Sequence, residues 1–282
     1  MVEAAETGNP LFLFDAQTDE NGLNGRQWSR GMAGSLYGRF DRVLTGNRSL
    51  AERLDVVGYS KEKIETTGYL RASGAALPYN EKQRRDFATA LAGRPVWLAA
   101  CVSLEEIDAV LAAHALAQRK SHRLLLILLP HLANQTEVEA QLQKHGCQVS
   151  YGSKGELPEQ EIQVFLVDDP AELGLWYRLA PISFLGQSFG GGGIDPLPAS
   201  ALGSAIAHGP DVSNHATVYS RFQEAGAAML VKEPAKLGDA IESLLSPAKT
   251  AEMAHAGWNL SSEGAEVSDR AVDLVLTALD DL

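Results

Sequence analysis

The sequence has few cysteines, an excess of acidic over basic side chains and no long apolar run. Cys101 and Cys147 are the only cysteines in 282 residues, too few for a disulfide framework or a four-cysteine zinc site, and we expect both to be buried free thiols. Lys and Arg number 24 and Asp and Glu 36, so the formal net charge is −12. This balance argues against a nucleic-acid-binding protein and against a polybasic protein of the membrane surface.

The chain also lacks an obvious targeting or membrane-spanning segment. The first ten residues, MVEAAETGNP, have no signal-peptide core, and the longest apolar run, Leu124 to Leu129, is too short to span a bilayer. We therefore expect a cytoplasmic protein, or one attached to a membrane only peripherally.

Apolar and charged residues make up 45% and 21% of the chain, proportions typical of a soluble globular protein. At about 150 residues per domain, the length predicts roughly two domains. Short apolar runs alternate with amphipathic helical patterns along most of the chain. This alternation predicts an α/β fold with a doubly wound parallel sheet.

The first third of the chain carries three predicted strands and three predicted helices. The strands are predicted at residues 11–14, 43–44 and 64–67, and the helices at 26–37, 49–54 and 81–91. Residues 72–79 are rich in small residues and contain Gly and Pro, the composition of a linker.

From residue 95 onward strands and helices alternate more clearly. The predicted strands are 96–100, 124–129, 148–151, 164–167, 182–185, 205–207 and 229–231. The predicted helices are 103–117, 137–144, 172–179, 197–202, 216–225, 235–245, 248–258 and 266–279. Ser103 and Glu106 have the S-x-x-E spacing of a capping box that opens a helix. The last predicted helix carries an apolar stripe of Val267, Ala271, Leu274, Val275 and Ala278.

Four consecutive glycines, Gly190 to Gly193, follow one predicted strand and precede a predicted helix. Ligands of open α/β sheets bind beyond the carboxyl ends of the strands, where glycine lets backbone N–H groups approach an anion. The run matches neither the dinucleotide fingerprint nor the P-loop, so a plain turn is an equally good interpretation. The loop from Gly209 and Pro210 to Asn214 is predicted at the same edge, with helix capping as its alternative interpretation.

Metal and hydrolase patterns have little support. Asp168 and Asp169 lie at the end of a predicted strand, a position where metal ligands occur. However, Asp169 precedes Pro170 and is a residue type that caps helices. No two of the seven histidines have the spacing of a metal-binding pair, and no G-x-S-x-G nucleophile elbow is present. We therefore expect no metal site and no cofactor.

Several segments match one protein family in the family's own order. Upstream they are RFDRVL (39–44), AERL (51–54) and TGYLR (67–71). Downstream they are GRPVWLAA (93–100), LLLILLP (124–130), DDPAELGLWYRLAPISFLGQS (168–188), GGIDPLPASALG (192–203) and HGPDVSN (208–214). Through these segments the sequence resembles the Kdo transferases, GT-B glycosyltransferases that transfer 3-deoxy-D-manno-octulosonic acid (Kdo) from CMP-Kdo to lipid A precursors.

The resemblance implies a GT-B-like architecture built on Rossmann-like domains. Its parts are a partial first domain (1–75), a linker helix (76–93), a nucleotide-binding-type domain (94–262) and a final helix that packs back across the domains (263–282). The match starts about midway through the family's first domain. The family's membrane-anchoring segment, acceptor site and presumed catalytic glutamate therefore have no counterpart, and we assign no catalytic residue. A peripheral position at the inner membrane is also implied.

The resemblance further implies a donor-binding cleft at the carboxyl edge of the second sheet. Its candidate donor-binding residues are Pro130, His131, Glu172, Gly174, Ser188, Gly192, Gly193, Asp195, Gly209, Pro210 and Asn214. The implied donor is a CMP-sugar, and the implied acceptor is a lipid A precursor.

Several polar residues of the family's donor site are replaced in this sequence. His131 follows Pro130 without the arginine expected to meet the nucleotide, and Pro198 replaces a glutamate that holds the ribose hydroxyls in GT-B enzymes. Asp195 replaces an asparagine and adds negative charge beside the expected phosphate position. Each lost charge-assisted contact costs on the order of 1.5–3 kcal/mol, so we expect donor affinity to fall by several powers of ten and catalysis to be impaired.

Two other functions remain open from the sequence. One is a non-catalytic binding or scaffold protein that keeps the donor-domain fold. The other is a transferase subunit completed by a separately encoded N-terminal half. We also expect a homo-oligomer or a partner protein, because a halved first domain leaves a sheet edge or apolar face uncovered. No nucleic-acid partner is expected.

Overall fold

The computed structural model describes residues 9–16, 37–46, 48–56, 59–67, 77–131 and 135–280. The chain divides into two compact units, one of Met1–Ser73 with Ser262–Leu282 and the other of Gly74–Ser261. The predicted helix 26–37 and most of the predicted linker 72–79 lie outside the described residues.

The described part of the first unit contains a small parallel sheet. Strand β1 (Phe12–Leu13) pairs with β2 (Arg42–Thr45), which pairs with β3 (Ile64–Thr66). Helix α1 (Arg48–Val56) follows β2. The apolar core of this unit includes Ala16, Phe40, Val43, Leu50, Leu54 and Tyr59. The predicted strands near residues 12, 43 and 65 and the predicted helix 49–54 are confirmed, with ends that differ by a few residues.

The second unit is built on a seven-stranded parallel sheet. Its strands are β4 (Val96–Val102), β5 (Leu125–Pro130), β6 (Val149–Tyr151), β7 (Val164–Leu166), β8 (Ile182–Leu185), β9 (Ala205–His208) and β10 (Ala228–Leu230). Their spatial order is β10-β9-β8-β4-β5-β7-β6, and every adjacent pair is parallel. The chain builds one half of the sheet with β4 to β7, placing β7 between β5 and the edge strand β6, and then returns to the other side of β4 with β8. The carboxyl ends of β4 and β8 are therefore the topological switch point, where open α/β sheets bind ligands.

Helices connect and cover these strands. They are α2 (Glu81–Leu91), α3 (Leu104–Gln118), α4 (Gln135–Lys144), α5 (Leu173–Leu179), α6 (Leu197–Ala201), α7 (Ala216–Glu224) and α8 (Leu237–Leu244). Buried residues form one cluster on each face of the sheet, with Trp97, Ile107 and Leu126 in one and Leu98, Phe165 and Trp176 in the other. Covering both faces explains why β4 and β5 are almost continuously apolar.

The end of the chain is one helix, α9 (Pro247–Asp280), which begins in the second unit and ends in the first. The prediction of two separate helices, 248–258 and 266–279, was therefore wrong. Gly264 is the residue between them that least favours a helix, and one interior glycine costs about 1 kcal/mol without breaking the hydrogen-bond ladder. The predicted apolar stripe is buried at Val267 and Ala271, whereas Val275 is 38% exposed.

His114, on α3, is a buried neutral histidine. Its side chain is 2% exposed, and its Nδ1 lies 3.1 Å from the indole nitrogen of Trp97. An indole N–H only donates, so Nδ1 is the unprotonated acceptor of this hydrogen bond. Burial lowers the pKa of His114 from 6.5 to about 4, because the interior disfavours the imidazolium.

Acid is expected to destabilise the fold through His114. The unfolded chain takes up this proton below pH 6.5 and the folded chain only near pH 4. Stability is therefore lost as the pH falls through this window, by about 2.5 kcal/mol at about pH 4.5. His114→Gln keeps an acceptor for Trp97 and does not titrate, whereas all other groups titrate alike in both proteins. Urea unfolding at neutral pH and at about pH 4.5 should show a larger loss for the wild type. Equal losses would contradict this role of His114.

Candidate functional site

The backbones of β4 and β8 approach closely at their carboxyl ends. Cys101 adopts a left-handed conformation, with φ of 53°, where the pairing of β4 with β5 shifts register. Gly186 follows β8 and donates its N–H to the Ala100 carbonyl oxygen at 2.8 Å. A Cβ atom on Gly186 would lie 2.6 Å from the carbonyl oxygen of Cys101. Glycine is therefore required for the two strand ends to meet.

A buried carboxylate lies at this switch point. Glu106, in the first turn of α3, is 4% exposed, and its two oxygens accept four backbone hydrogen bonds. Oε2 accepts from the N–H groups of Ser103 at 3.0 Å and Gln187 at 2.7 Å. Oε1 accepts from the N–H groups of Ser188 at 2.9 Å and Phe189 at 3.0 Å. The positive end of the α3 dipole also favours this negative charge.

The predicted capping box of Ser103 and Glu106 is confirmed, but the second role of Glu106 was missed. The S-x-x-E spacing identifies a helix cap, and nothing near it in sequence indicates a contact with residues 187–189. That contact follows from topology, because α3 starts at the end of β4 and β8 is the strand beside β4. Only the strand order would have revealed it.

Ser188 joins the loop after β8 to the loop after β9. Its side chain is fully buried; Oγ donates to the Leu185 carbonyl oxygen and accepts from the Gly209 N–H, both at 2.7 Å. Its carbonyl oxygen accepts from the Asp211 N–H at 2.8 Å. A methyl group on Gly209 would overlap the Ser188 carbonyl oxygen, so glycine is needed at this crossing.

The glycine run folds back onto the same two loops. Gly191 and Gly193 both donate their N–H groups to the Gln187 carbonyl oxygen at 2.9 Å. Gly192 donates its N–H to Asp211 Oδ2 at 3.0 Å. Hydrogen bonds from the Ser213 hydroxyl and from backbone N–H groups lower the pKa of Asp211 below its ordinary value. We call residues 187–193 the glycine turn.

Asn214 closes the glycine turn from the other side. Its N–H donates to the Gly192 carbonyl oxygen at 3.0 Å, and its Nδ2 donates to the Gly191 carbonyl oxygen at 3.3 Å. Gly192 has φ of 81°, and a side chain there would overlap the Asn214 amide. The structure thus brings together Ser188, Gly192, Gly193, Gly209 and Asn214.

Within the glycine turn, each N–H group other than that of Gly190 has an acceptor inside the protein. Four of these six groups donate to the carboxylates of Glu106 and Asp211. An anionic ligand would have to displace those carboxylates before it could use the same N–H groups. These contacts favour the interpretation of the glycines as a turn over their interpretation as an open anion cradle.

Three further candidates lie at the ends of neighbouring elements. Asp195 follows the glycine turn, and its Oδ1 accepts from the Leu197 N–H at 2.9 Å at the start of α6. Pro130 ends β5, and the exposed His131 donates its backbone N–H to the Val102 carbonyl oxygen at 2.8 Å. Pro210 lies in the loop that follows β9. These residues share the carboxyl edge of the sheet with the glycine turn.

His208, at the end of β9, is fully buried and has both ring nitrogens engaged. Nδ1 lies 2.7 Å from the Gly209 carbonyl oxygen, and Nε2 lies 3.4 Å from the Gln223 side-chain nitrogen. This pairing indicates a neutral ring that donates through Nδ1 and accepts through Nε2. Burial lowers its pKa, so the ring supports the loop rather than serving as an accessible base.

Glu172 and Gly174 belong to another part of the second unit. Glu172 Oε1 accepts from Gln83 Nε2 at 2.8 Å and lines a pocket that no residue of the glycine turn lines. Gly174 lies in α5, where a side chain would overlap the carbonyl oxygen of Pro78. Arg178 holds the same segment by donating to the Leu77 carbonyl oxygen at 2.9 Å. Gly174 thus allows the backbone of Leu77 and Pro78 to pass directly over α5.

The alternative interpretation of Asp169 is supported, because its Oδ1 accepts from the Ala171 N–H at 2.8 Å and caps the following turn. Among the described residues, no cluster of His, Cys, Asp or Glu could hold a metal ion. Cys101 and Cys147 are free but only partly buried, and burial raises the pKa of both thiols. Nor is any helix in the described ranges long and apolar enough to cross a membrane.

Comparisons with known proteins find Kdo transferases among the relatives of this chain. No protein-family model matches the chain. A 3-deoxy-D-manno-octulosonic acid transferase from Haemophilus influenzae is 27% identical over 249 residues, covering 86% of this chain and 58% of the relative. The transferase of the same name from Rickettsia bellii is 23% identical over 252 residues, covering 89% of this chain and 60% of the relative. The resemblance to the Kdo transferases is confirmed.

A solved structure supports the same relationship. The C-terminal CMP-Kdo binding domain of WaaA from Acinetobacter baumannii is 26% identical to this chain, with a TM-score of 0.59. The match covers 62% of this chain and 94% of that domain. The predicted GT-B-like α/β fold is therefore confirmed. The chain spans about three fifths of the length of the two Kdo transferases compared above.

Glu106→Gln should destabilise the protein strongly. An amide offers one acceptor oxygen instead of two and turns its NH₂ group toward two of the four backbone donors. We expect the free energy of unfolding to fall by about 3 kcal/mol in urea denaturation. Glu105→Gln makes the same chemical change on the neighbouring exposed side chain and should cost less than about 1 kcal/mol. Similar losses in the two variants would show that the four hydrogen bonds contribute little.

Proposed function

We propose that this chain is a Kdo-transferase-type protein of lipid A and lipopolysaccharide core assembly, with weakened CMP-Kdo binding and impaired transfer. The observation that carries the proposal is the match to nearly all of a domain described as CMP-Kdo binding, at 26% identity. Named Kdo transferases that align with 86% and 89% of this chain support it. In this proposal residues 94–262 form the donor-binding domain.

Weakened donor binding is supported by the charges around the glycine turn. The carboxylates of Glu106 and Asp211 accept hydrogen bonds from its N–H groups, and Asp195 lies two residues beyond its end. A nucleotide phosphate is stabilised by cations and free N–H donors and is repelled by carboxylates. His131 follows Pro130 without an adjacent arginine. The donor site thus keeps its backbone geometry and has lost much of its complementarity to phosphate.

The proposal includes the reaction partners and the location. The donor is a CMP-sugar bound near Ser188, Asp195, Gly209 and Asn214, and the acceptor is a lipid A precursor. The protein works in the cytoplasm, peripherally at the inner membrane, as a homo-oligomer or with a partner protein covering the first unit. The alternatives are a scaffold that binds no nucleotide and a subunit completed by a separate N-terminal half. The filled hydrogen bonds of the glycine turn are the observation that favours the scaffold.

A thermal-shift titration with CMP and CMP-Kdo tests the proposal. With a Kd of about 1 mM, about 10 mM CMP should raise the free energy of unfolding by roughly 1.4 kcal/mol, seen as a higher Tm. Cytidine, which has no phosphate, serves as the ligand control. No shift with either nucleotide would favour the scaffold. Binding at micromolar CMP would contradict the proposed weakening.

Asp195→Asn is the matched variant for this titration. Asparagine caps a helix as well as aspartate does, so the hydrogen bond to the Leu197 N–H is kept while one negative charge is removed. If CMP binds beside the glycine turn, its affinity should rise roughly tenfold. An unchanged affinity for CMP would place the nucleotide elsewhere.

A further inference from the structure

The end of α9 carries a concentrated group of exposed apolar side chains. Among the described residues, nine large apolar side chains are exposed, and four of them lie close together on this helix. These four, which we call the outer stripe, are Val272, Val275, Leu276 and Leu279, with exposed fractions between 38% and 59%. Single exposed apolar side chains are normal on a protein surface, whereas a contiguous group of them is typical of an interaction surface.

The outer stripe is separate from the face that α9 buries. Its residues have the spacing i, i+3, i+4 and i+7, so they share one side of the helix. Val267 and Ala271 are buried, and their side of the helix is turned by roughly 110° from the outer stripe. One apolar face of α9 is therefore used inside the protein, and a second one is left exposed.

A row of aspartates runs along one edge of the outer stripe. Asp269, Asp273 and Asp280 are exposed, and none of them forms an ion pair with another described residue. Arg270 is the only basic residue between positions 267 and 280, and its Nε and Nη2 bind Glu65 at 2.7 and 2.8 Å. Like charges four positions apart, as in Asp269 and Asp273, destabilise a helix. This edge of the outer stripe therefore favours a cationic neighbour.

Charge discriminates among three occupants of the outer stripe. A second copy of the chain would add its own aspartates to the same small interface, and an anionic lipid surface would repel them. An amphipathic helix of another protein buries apolar side chains of the spacing i, i+3, i+4 and i+7, and charged residues beside its apolar face select the partner. A helix with basic residues in those flanking positions matches both the outer stripe and its acidic edge.

We propose that the outer stripe is a docking surface for an amphipathic helix of a partner protein, with Lys or Arg beside that helix's apolar face. The apolar side chains of the partner helix pack on the outer stripe, and its cations pair with Asp269, Asp273 and Asp280. The surface uses no residue of the glycine turn, so this inference holds whether or not the chain binds a CMP-sugar.

The test is an NMR titration of the full chain labelled with ¹⁵N, with a synthetic amphipathic peptide as the probe. The peptide has about three heptads with Leu at positions a and d and Lys at positions e and g, so like charges oppose its own association. At low ionic strength, where exposed charges are least screened, we expect saturable shifts of the amides around the outer stripe, with a Kd of roughly 0.1–1 mM. The same peptide with Glu in place of Lys should bind at least about tenfold more weakly.

Exposed positions provide variants that leave the core intact. Leu276→Ser removes one apolar contact and should weaken binding of the Lys peptide about tenfold, whereas Leu157→Ser, the same change at an exposed leucine of the second unit, should leave it unchanged. Asp273→Asn should weaken binding about threefold. Asp86→Asn removes one exposed charge from α2 and should have no effect.

Several results would overturn the proposal. Absent or unsaturable shifts would do so, as would equal binding of the Lys and Glu peptides or equal effects of the variants and their controls. Sedimentation of the wild type as a dimer that Leu276→Ser dissociates would show that a second copy covers the outer stripe. Binding to vesicles of phosphatidylcholine and phosphatidylglycerol that Leu276→Ser abolishes would show that lipid covers it.

Discussion

The loops at the carboxyl edge of the large sheet depend on the buried carboxylate of Glu106. The order in which the chain adds strands to the parallel sheet reverses between β4 and β8, so the start of α3 lies against the loop after β8. The backbone N–H groups of both segments point into one small volume. Without an internal acceptor these donors would be buried and unpaired. Glu106 accepts four of them and so ties residues 187–189 to α3.

The rest of the edge is built outward from that contact. Ser188, held by Glu106, accepts from Gly209 and Asp211, and Asp211 in turn accepts from Gly192. Each link joins residues about 20 or more positions apart in sequence, so the three loops form one connected network. The same network uses most of the N–H groups that an anionic ligand would need. Rigid loop geometry and strong phosphate binding are therefore in competition at this edge.

Sequence patterns predicted those parts of the fold that depend on local residues. The predicted helix 81–91 has the same bounds as α2, and the strands near 96–102 and 125–130 follow from apolar runs covered on both faces. The break predicted within α9 was wrong, because a single glycine weakens a helix without ending it. The prediction of two helices gave too much weight to the low helix propensity of a few residues near Gly264.

The candidate site was predictable only in part, because its contacts join distant residues. Position after a strand identified Gly192, Gly209 and Asn214 as neighbours at one edge, and the resemblance to the Kdo transferases added Ser188. The resemblance also grouped Glu172 and Gly174 with them, although they lie beside α2 and the segment before it. The S-x-x-E spacing described Glu106 as a helix cap alone. These roles are decided by the packing of α2 against α5 and by the contact between the ends of β4 and β8. Neither produces a recognisable pattern in the local sequence.

Residue-resolved hydrogen exchange most directly tests whether Glu106 and Asp211 engage the glycine turn. In the ligand-free protein, we predict that the amides of Gln187, Ser188, Phe189 and Gly192 exchange slowly, with protection close to that of the core strand β4. Adding CMP should leave that protection unchanged. Rapid exchange of these amides without ligand, with protection appearing only when CMP is added, would contradict the claim and show an open anion site.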